Sequence, residues 1–343
     1  MTTVRSDSPA GPLRSRAMAL LRAGEARLHP IEHDLPPPGP GELRLRVHVC
    51  GVCRTDLHVV DGDLPVTRLP CIPGHEVVGH VLDCGPGATR FAPGTRVGVP
   101  WLHDTCGACR WCASARENLC DAARFTGWTV DGGYAEVMTA REEFCFALPA
   151  RYRDEQAAPL LCAGLIGWRA LGMAGDAQSL GLYGFGAAGH LVAQVALQQG
   201  RRVYAFTRPG DRAAQDLARS LGVHWAGGSD ETPPSPIDGA LIFAPVGALV
   251  PAALSHSEPG STIVCAGIHM SDLPAMPYSL LWKERSVRSV ANLTRRDGDE
   301  FFAWAGEHEL PSTTEVFPLA DANEALARLR DGRLTGAAVL DCR

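Results

Sequence analysis

Apolar and polar residues alternate with a period of two through ELRLRVHVC (42–50), where Leu43, Leu45, Val47 and Val49 stand between charged or polar neighbours. Such alternation marks a strand with one face buried and the other wet. EVVGHVLDCG (76–85) and TRVGVPW (95–101) are similar β-branched runs, bounded by turn residues. Residues up to about 150 therefore predict short strands of an antiparallel, barrel-like region.

The pattern changes near Asp154. EQAAPLLCAGLIGWRALGMAG (155–175) sets Ala and Leu at i, i+3 and i+4, which predicts a helix. Apolar strands and amphipathic helices then alternate. SLGLYGF leads to AGHLVAQVALQQG, RRVYAFTR to RAAQDLARSLG, DGALIFAP to ALVPAALSHS, and STIVCAG to a longer loop. That order predicts an α/β region with a doubly wound parallel sheet. Near the C-terminus ANEALARLRDGRLTGAAVLD reads as helix, turn and closing strand, grouped with the first region. Residues 1 to about 14 read as a loose tail.

A length of 343 residues suggests two domains, and 45% hydrophobic with 20% charged residues describes a globular protein. The formal net charge of -6, with no basic run, argues against nucleic acid as a partner. No apolar stretch approaches the ~20 residues that span a membrane. The N-terminus lacks the apolar core of a signal peptide, so a cytoplasmic location is expected. Twelve cysteines change the picture, because they cluster unevenly and so point to metal rather than to a disulfide framework.

Cys106, Cys109, Cys112 and Cys120 (CGACRWCASARENLC) are spaced C-x2-C-x2-C-x7-C. Four thiolates on a tight loop can wrap a tetrahedral ion and leave it no open position, so such a site is structural. Zinc is favoured, with an iron–sulfur cluster or disulfides as alternatives. A second, dispersed set comprises Cys53 and His58 in CGVCRTDLH, His75 and Glu76 in PGHE, and Cys162 in PLLCAG. Taken singly, each could be a buried thiol or a polar corner.

Gly184, Gly186 and Gly189 form G-F-G-A-A-G between a predicted strand and a predicted helix. In that setting the glycines permit a tight turn and let a pyrophosphate approach the helix N-terminus. The next strand, RRVYAFTRPG, carries Thr207 and Arg208 where an acidic residue usually meets the ribose 2′-hydroxyl. A hydroxyl and a guanidinium favour a 2′-phosphate, hence NADP(H) over NAD(H). Asp211 is the alternative source of the missing acid.

Taken in order, CxTDxH, PGHE, the four-cysteine lobe, the downstream Cys162 and GxGxxG resemble the zinc-containing medium-chain dehydrogenase/reductase family, specifically its bacterial alcohol dehydrogenases. The resemblance covers nearly all of the chain after residue 20 or so. It implies a GroES-like β-barrel catalytic domain (1–155 and 292–343, with the zinc lobe at 103–121) and a Rossmann domain (156–291). It implies Cys53, His75 and Cys162 as catalytic zinc ligands and Glu76 as exchange ligand. Asp56 would orient His75, Arg54 would meet the pyrophosphate, and Thr55 and His58 would relay the substrate proton. The activity implied is hydride transfer between an alcohol and an aldehyde or ketone. Two zinc ions per chain, a nicotinamide dinucleotide, and a homodimer or homotetramer complete the expectation. The apolar runs ALIFAP and STIVCAG would be the sheet edges that join subunits.

Two positions depart from the family pattern. Ala337 follows Gly336 where many members carry an Arg, and Ile166 stands where many carry a Thr. Trp101, Phe125, Trp128 and Ile166 are expected to line an apolar substrate pocket. Alternatives are a polyol dehydrogenase of the same family, a zinc-less quinone reductase relative, opposed by the complete ligand set, and a non-enzymatic zinc- and dinucleotide-binding redox sensor. The sensor would need no relay through Thr55 and His58.

Overall fold

The computed structural model describes residues 11–65, 67–334 and 336–343. The expected N-terminal tail lies largely outside the described residues, but Leu13 and Arg14 already pair in a strand, so regular structure begins before residue 14. The chain divides into two compact units, one ending at Cys162 and resuming over 294–307 and 312–343, the other comprising 163–293 and 308–311.

The first unit opens with the antiparallel pair β1 (Leu13–Ala19) and β2 (His29–Leu35). There follow β3 (Glu42–Val52), α1 (Arg54–Asp61), β4 (Glu76–Cys84), β5 (Arg96–Val99) and β6 (Leu102–Asp104). A short helix, α2 (Arg110–Ala113), lies within the four-cysteine segment. After it come β7 (Arg124–Phe125), β8 (Val137–Arg141), β9 (Phe146–Ala147) and α3 (Asp154–Ala157). The second unit carries α4 (Ala163–Met173), β10 (Ser179–Tyr183), α5 (Ala187–Gln198), β11 (Arg202–Thr207) and α6 (Arg212–Ser220). It continues with β12 (Trp225–Gly228), β13 (Ile237–Ile242), α7 (Leu249–Ser255), β14 (Ser257–Cys265) and β15 (Ser286–Ser289). The chain then re-enters the first unit with α8 (Arg295–Glu307), β16 (Thr314–Pro318), α9 (Ala322–Arg330) and β17 (Ala337–Asp341).

In the first unit the main sheet runs β16-β17-β3-β4-β5-β9, with β8 also pairing β3. The alternation in β3 sends Leu43, Leu45, Val47 and Val49 into the core, all fully buried. Arg44 breaks the pattern, since it too is fully buried. It is held there by the Asp83 carboxylate and by the carbonyl of Gly11, 2.9 Å away. Burial of a charge is tolerated only with such partners.

The helix expected over 155–175 is interrupted. α3 ends at Ala157, a 3-10 turn spans Ala158–Leu161, and Cys162 adopts φ -126° and ψ -71° before α4 starts. Pro159 is the cause, because it offers no N–H and its ring disfavours a continuous α-helix. Cys162 is thus left as a non-helical link.

The second unit is a six-stranded, wholly parallel sheet in the order β12-β11-β10-β13-β14-β15. That is the doubly wound order, with its reversal beside β10. The edges are β12 and β15. The runs ALIFAP and STIVCAG, expected as edges, are the interior strands β13 and β14, each paired on both sides. Being buried on both sides, they read as continuous apolar runs. The true edges are four residues each, too short to show a period. Among the described residues no helix is long and apolar enough to cross a membrane.

Candidate metal and dinucleotide sites

Cys53 is the N-cap of α1, and the backbone there is fixed by Asp56, three residues on. The Asp56 carboxylate is fully buried. It accepts hydrogen bonds from Cys53 N (2.8 Å), Gly74 N (3.2 Å) and the Tyr134 hydroxyl (3.1 Å), and it lies 3.0 Å from His75 Nδ1. One carboxylate therefore ties the helix start, the loop before β4 and the His75 ring together. With Nδ1 so engaged, His75 turns Nε2 the other way, to within 3.4 Å of Cys162 Sγ. Cys162 Sγ is 3.7 Å from Cys53 Sγ. Glu76, next along β4, is buried facing Gly51, where any Cβ would lie 1.9 Å from its Oε2. A side chain at 51 would expel the carboxylate, so the glycine makes room for it.

The ligand atoms of Cys53, His75, Glu76 and Cys162 all lie within 4.8 Å of one another. A tetrahedral zinc with bonds of about 2.3 Å to sulfur and about 2.0 Å to nitrogen requires S···S edges near 3.8 Å and S···N edges near 3.5 Å. The observed spacings fit that polyhedron and exclude a disulfide, whose sulfurs would be about 2.05 Å apart. The electrostatics agree with a cation site. The two thiols share a hydrogen bond that draws Cys53 well down and pushes Cys162 well up. Burial is the largest single influence on His75 and works against its charged form, but the charge and hydrogen bond of Asp56, together with those of Cys53, outweigh it and raise the imidazole. Burial, then the neighbouring Cys53, raises the Glu76 carboxyl. A cation at the centre would relieve each of these conflicts.

The sulfurs of Cys106, Cys109, Cys112 and Cys120 likewise lie within 4.8 Å of one another. Cys112 Sγ is 3.6 Å from that of Cys109 and 3.9 Å from that of Cys106. These too are tetrahedral edges, and all twelve cysteines are free thiols. The backbone N–H groups of Ala108 and Cys109 draw the Cys106 thiol down to about 6. Backbone donors to sulfur stabilise a thiolate in the same way around bound metal.

Thr55 lies in the first turn of α1, its hydroxyl 3.8 Å from Cys53 Sγ. His58 is one turn further, with Nδ1 2.8 Å from Asp63 Oδ2. Arg54 is exposed. Trp101 meets the His75 ring edge-on, with centroids 4.8 Å apart. Phe125 and Trp128 stack with Trp101 and with each other at 5.4–5.9 Å. The expected pocket aromatics are thus one stack against the His75 ring. Ile166 is half-buried on α4 in the second unit.

In the second unit Gly184 has φ +96°, and Gly189 approaches it so closely that a Cβ there would lie 2.3 Å from the Gly184 carbonyl. Gly186 caps α5, and a Cβ there would meet nothing within 4 Å. Two glycines close the turn and the third leaves open space at a helix N-terminus, the cradle a pyrophosphate needs. Arg208 is exposed just beyond β11. Thr207 is only 3% exposed. Its hydroxyl donates toward the carbonyl of Gly227 (3.2 Å) and accepts from Gln215 Nε2 (3.1 Å). Asp211 caps α6 by accepting from Ala214 N. Both are engaged within the protein. Gly336 has φ +91° and leads into β17 at Ala337.

Sequence spacing gave no hint of Tyr134 or Asp63. Tyr134 lies 78 residues from the Asp56 it meets, and Asp63, five residues after His58, belongs to no recognisable motif.

Residues 39–150 match the alcohol dehydrogenase GroES-like domain. The chain is 47% identical to the probable alcohol dehydrogenase AdhA of Mycobacterium tuberculosis, with 97% of this chain and 99% of that one covered. A cinnamyl alcohol dehydrogenase from Sorghum bicolor superposes with TM-score 0.87 at 26% identity, covering 96% of this chain and 98% of the other. The cobalt- and zinc-bound thermostable alcohol dehydrogenase of Pyrobaculum aerophilum gives TM-score 0.86 at 27% identity, covering 96% and 100%. The fold and site define an oxidoreductase built from a GroES-like domain and a Rossmann domain. The chain belongs to the zinc-type medium-chain alcohol dehydrogenase family and is an NAD(P)-dependent alcohol dehydrogenase.

Proposed function

We propose that this enzyme interconverts a primary or secondary alcohol with its aldehyde or ketone, using Cys53, His75 and Cys162 to hold a catalytic zinc. What carries the reading is the convergence of those three ligand atoms beside a buried Asp56 that fixes the imidazole. Glu76 serves as the alternate ligand during exchange. Cys106, Cys109, Cys112 and Cys120 hold a second, structural zinc. When bound, the catalytic ion supplies Lewis-acid polarisation at the substrate oxygen, and the dinucleotide supplies the hydride acceptor.

The remaining work falls to the chain. Thr55 and His58, on successive turns of α1, carry the alcohol proton away, with Asp63 holding the imidazole. The Trp101–Phe125–Trp128 stack excludes water and selects an apolar substituent. The N-terminus of α5 binds the pyrophosphate. Arg208 favours NADP(H) without help from Thr207, whose hydroxyl is spent internally. Subunits pair through the β15 edge, which the chain reaches through a segment carrying the exposed side chains of Leu273, Tyr278 and Trp282. Twelve free thiols suit a reducing compartment, the cytoplasm.

The test is an initial-rate survey of alcohols and aldehydes with NAD(H) and NADP(H) in parallel, together with a metal count per chain. Two zincs and turnover that tracks the more exchangeable one are expected. Turnover that persists once that ion is removed would exclude the assignment.

A further inference from the structure

The four-cysteine lobe is joined to the rest of the first unit through a buried acid. Glu117, the only acid in 106–120, stands on a 3-10 turn, Glu117–Leu119, just before the last of the four cysteines. It is only 3% exposed, and its Oε1 accepts from Arg295 N at 2.9 Å and lies 3.3 Å from Arg295 Nε. Arg295 is the first residue of α8, so one carboxylate meets both a helix N-terminus and a guanidinium. The same guanidinium reaches Glu143 Oε2 at 3.3 Å and lies over the Phe144 ring. Burying a charge costs free energy unless it is paired, so this contact is a specific tie.

What it ties down is the place where the chain returns from the second unit, which ends at Leu293 while the first resumes at Thr294. The link is short and fixed at both ends. On one side Val290 N donates to the Cys265 carbonyl at the end of β14, 2.9 Å away. On the other, Thr294 and Asp297 form a reciprocal cap at the start of α8. The Asp297 carboxylate accepts from Thr294 N at 2.7 Å, and Thr294 Oγ1 accepts from Asp297 N at 3.2 Å. Asn292, between them, turns the chain through the left-handed region at φ +55°. β14 and β15 end here, at the carboxyl edge of the parallel sheet, where doubly wound sheets take their ligands. The adenosine ribose is read at the end of β11, so the nicotinamide half of a dinucleotide belongs on the other side of the reversal, over β13–β15.

We propose that Glu117 is a positioning residue for the dinucleotide. Through Arg295 it lets the four-cysteine lobe hold the link 290–295, so that an ordered lobe and a bound dinucleotide stabilise each other. The inference rests on the zinc and dinucleotide sites proposed above. Such a coupling is reciprocal, so it can be read at either site.

The experiment uses the full chain with both zincs in place. Calorimetry gives the Kd of NADPH and of NADH. Hydrogen exchange is followed over 106–120 with and without saturating dinucleotide, with β1 and β2 as the internal reference. In the wild type the dinucleotide should slow exchange in the lobe about fivefold or more relative to that reference. Glu117→Gln keeps an acceptor but removes the charge; it should weaken dinucleotide binding about fivefold or more and abolish the slowing. Arg295→Gln retains the backbone N–H and alters a side chain that is 41% exposed, so it should fold even if Glu117→Gln does not, and its Kd should rise in the same direction. Circular dichroism and a metal count qualify each variant. Lobe exchange in the wild type that ignores the dinucleotide, or an unchanged Kd in a folded two-zinc variant, overturns the proposal and leaves Glu117 as an anchor of the lobe alone. A wild type with no metal in the lobe, or with no affinity for either dinucleotide, removes the sites themselves and the proposal with them.

Discussion

Asp56→Asn is the sharpest perturbation of the proposed catalytic zinc site, because it replaces a single oxygen by an NH2 group and leaves every proposed ligand side chain in place. The native carboxylate has acceptor oxygens on both sides. One faces Gly74 N and His75 Nδ1, the other Cys53 N and the Tyr134 hydroxyl. An amide keeps one acceptor and gains a donor. If its oxygen serves His75, its NH2 group confronts the Cys53 N–H, and that buried donor loses its partner. That N–H is also the one by which Asp56 caps α1, and an orphaned buried N–H costs about 1–3 kcal/mol. The first unit should therefore lose roughly 1–3 kcal/mol of stability, read from urea unfolding in the presence of chelator.

The second consequence is chemical. Without the carboxylate, His75 is a weaker base and its ring is free to turn. Loss of such a partner typically lowers metal affinity about 10–100-fold. Competition with a graded series of chelators should show that shift for one zinc while the four-cysteine zinc stays put. Tyr134→Phe removes a single donor from the same carboxylate and should lower stability by about 1 kcal/mol. Unchanged zinc affinity and unchanged stability in Asp56→Asn would refute the idea that this carboxylate organises the site.

Other outcomes follow from the same geometry. Cys162→Ser should abolish turnover in a folded protein that retains about one zinc, whereas Cys109→Ser should chiefly lower thermal stability; loss of activity by unfolding in both would remove the division of roles. His58→Gln should slow alcohol oxidation most below pH ~8, where hydroxide cannot replace the imidazole, and Thr55→Ala should be more severe at every pH; unchanged pH–rate profiles would remove the relay. Arg208→Asp should lower the NADP(H)/NAD(H) ratio of kcat/KM about ten- to hundredfold, while Thr207→Val leaves it unaltered; kinetics with both cofactors decide. Trp282→Lys should weaken self-association seen by light scattering, and a wild type already monomeric at micromolar concentration would sink the β15 interface.

Local chemistry was legible in the sequence wherever function is built from neighbours in the chain. The four-cysteine lobe occupies fifteen consecutive residues, 106–120, and its spacing alone pointed to a closed tetrahedral site. The glycine fingerprint sits in one turn, and the structure assigns each glycine a separate steric reason. Long apolar strands were equally clear as strands, but not in their position. The apolar character of ALIFAP and STIVCAG suggests edges that join subunits, when a continuous apolar run is what an interior parallel strand requires. Thr207 differs from expectation for a related reason. A hydroxyl at a strand end looks free for a ligand, and sequence cannot show that Gly227 and Gln215 satisfy it from the next strand and helix.

The dispersed metal set depends on features that single residues do not advertise. Cys53, His75 and Cys162 come from a helix cap, a loop end and a break after Pro159, three places where the backbone leaves regular structure. Each irregularity has its own local cause: the Asp56 cap, the Gly74 turn and the missing N–H of proline. Ligands carried within a regular helix or strand would be confined to its fixed period, whereas ligands at element ends can be aimed independently. The sheet then supplies what the loops cannot. β3 and β4 hold Gly51 opposite Glu76, and that register decides whether the carboxylate has room beside the site. A one-residue slip between those strands would place a side chain there and turn Glu76 to the other face. The geometry of the proposed metal site is therefore set by strand register as much as by its ligands, and Gly51→Ala should disturb Glu76 while leaving Cys53, His75 and Cys162 unchanged. Metal exchange, timed by uptake of cobalt into the zinc enzyme, should slow if Glu76 is the exchange ligand; an unaltered rate would leave that carboxylate with a structural role alone.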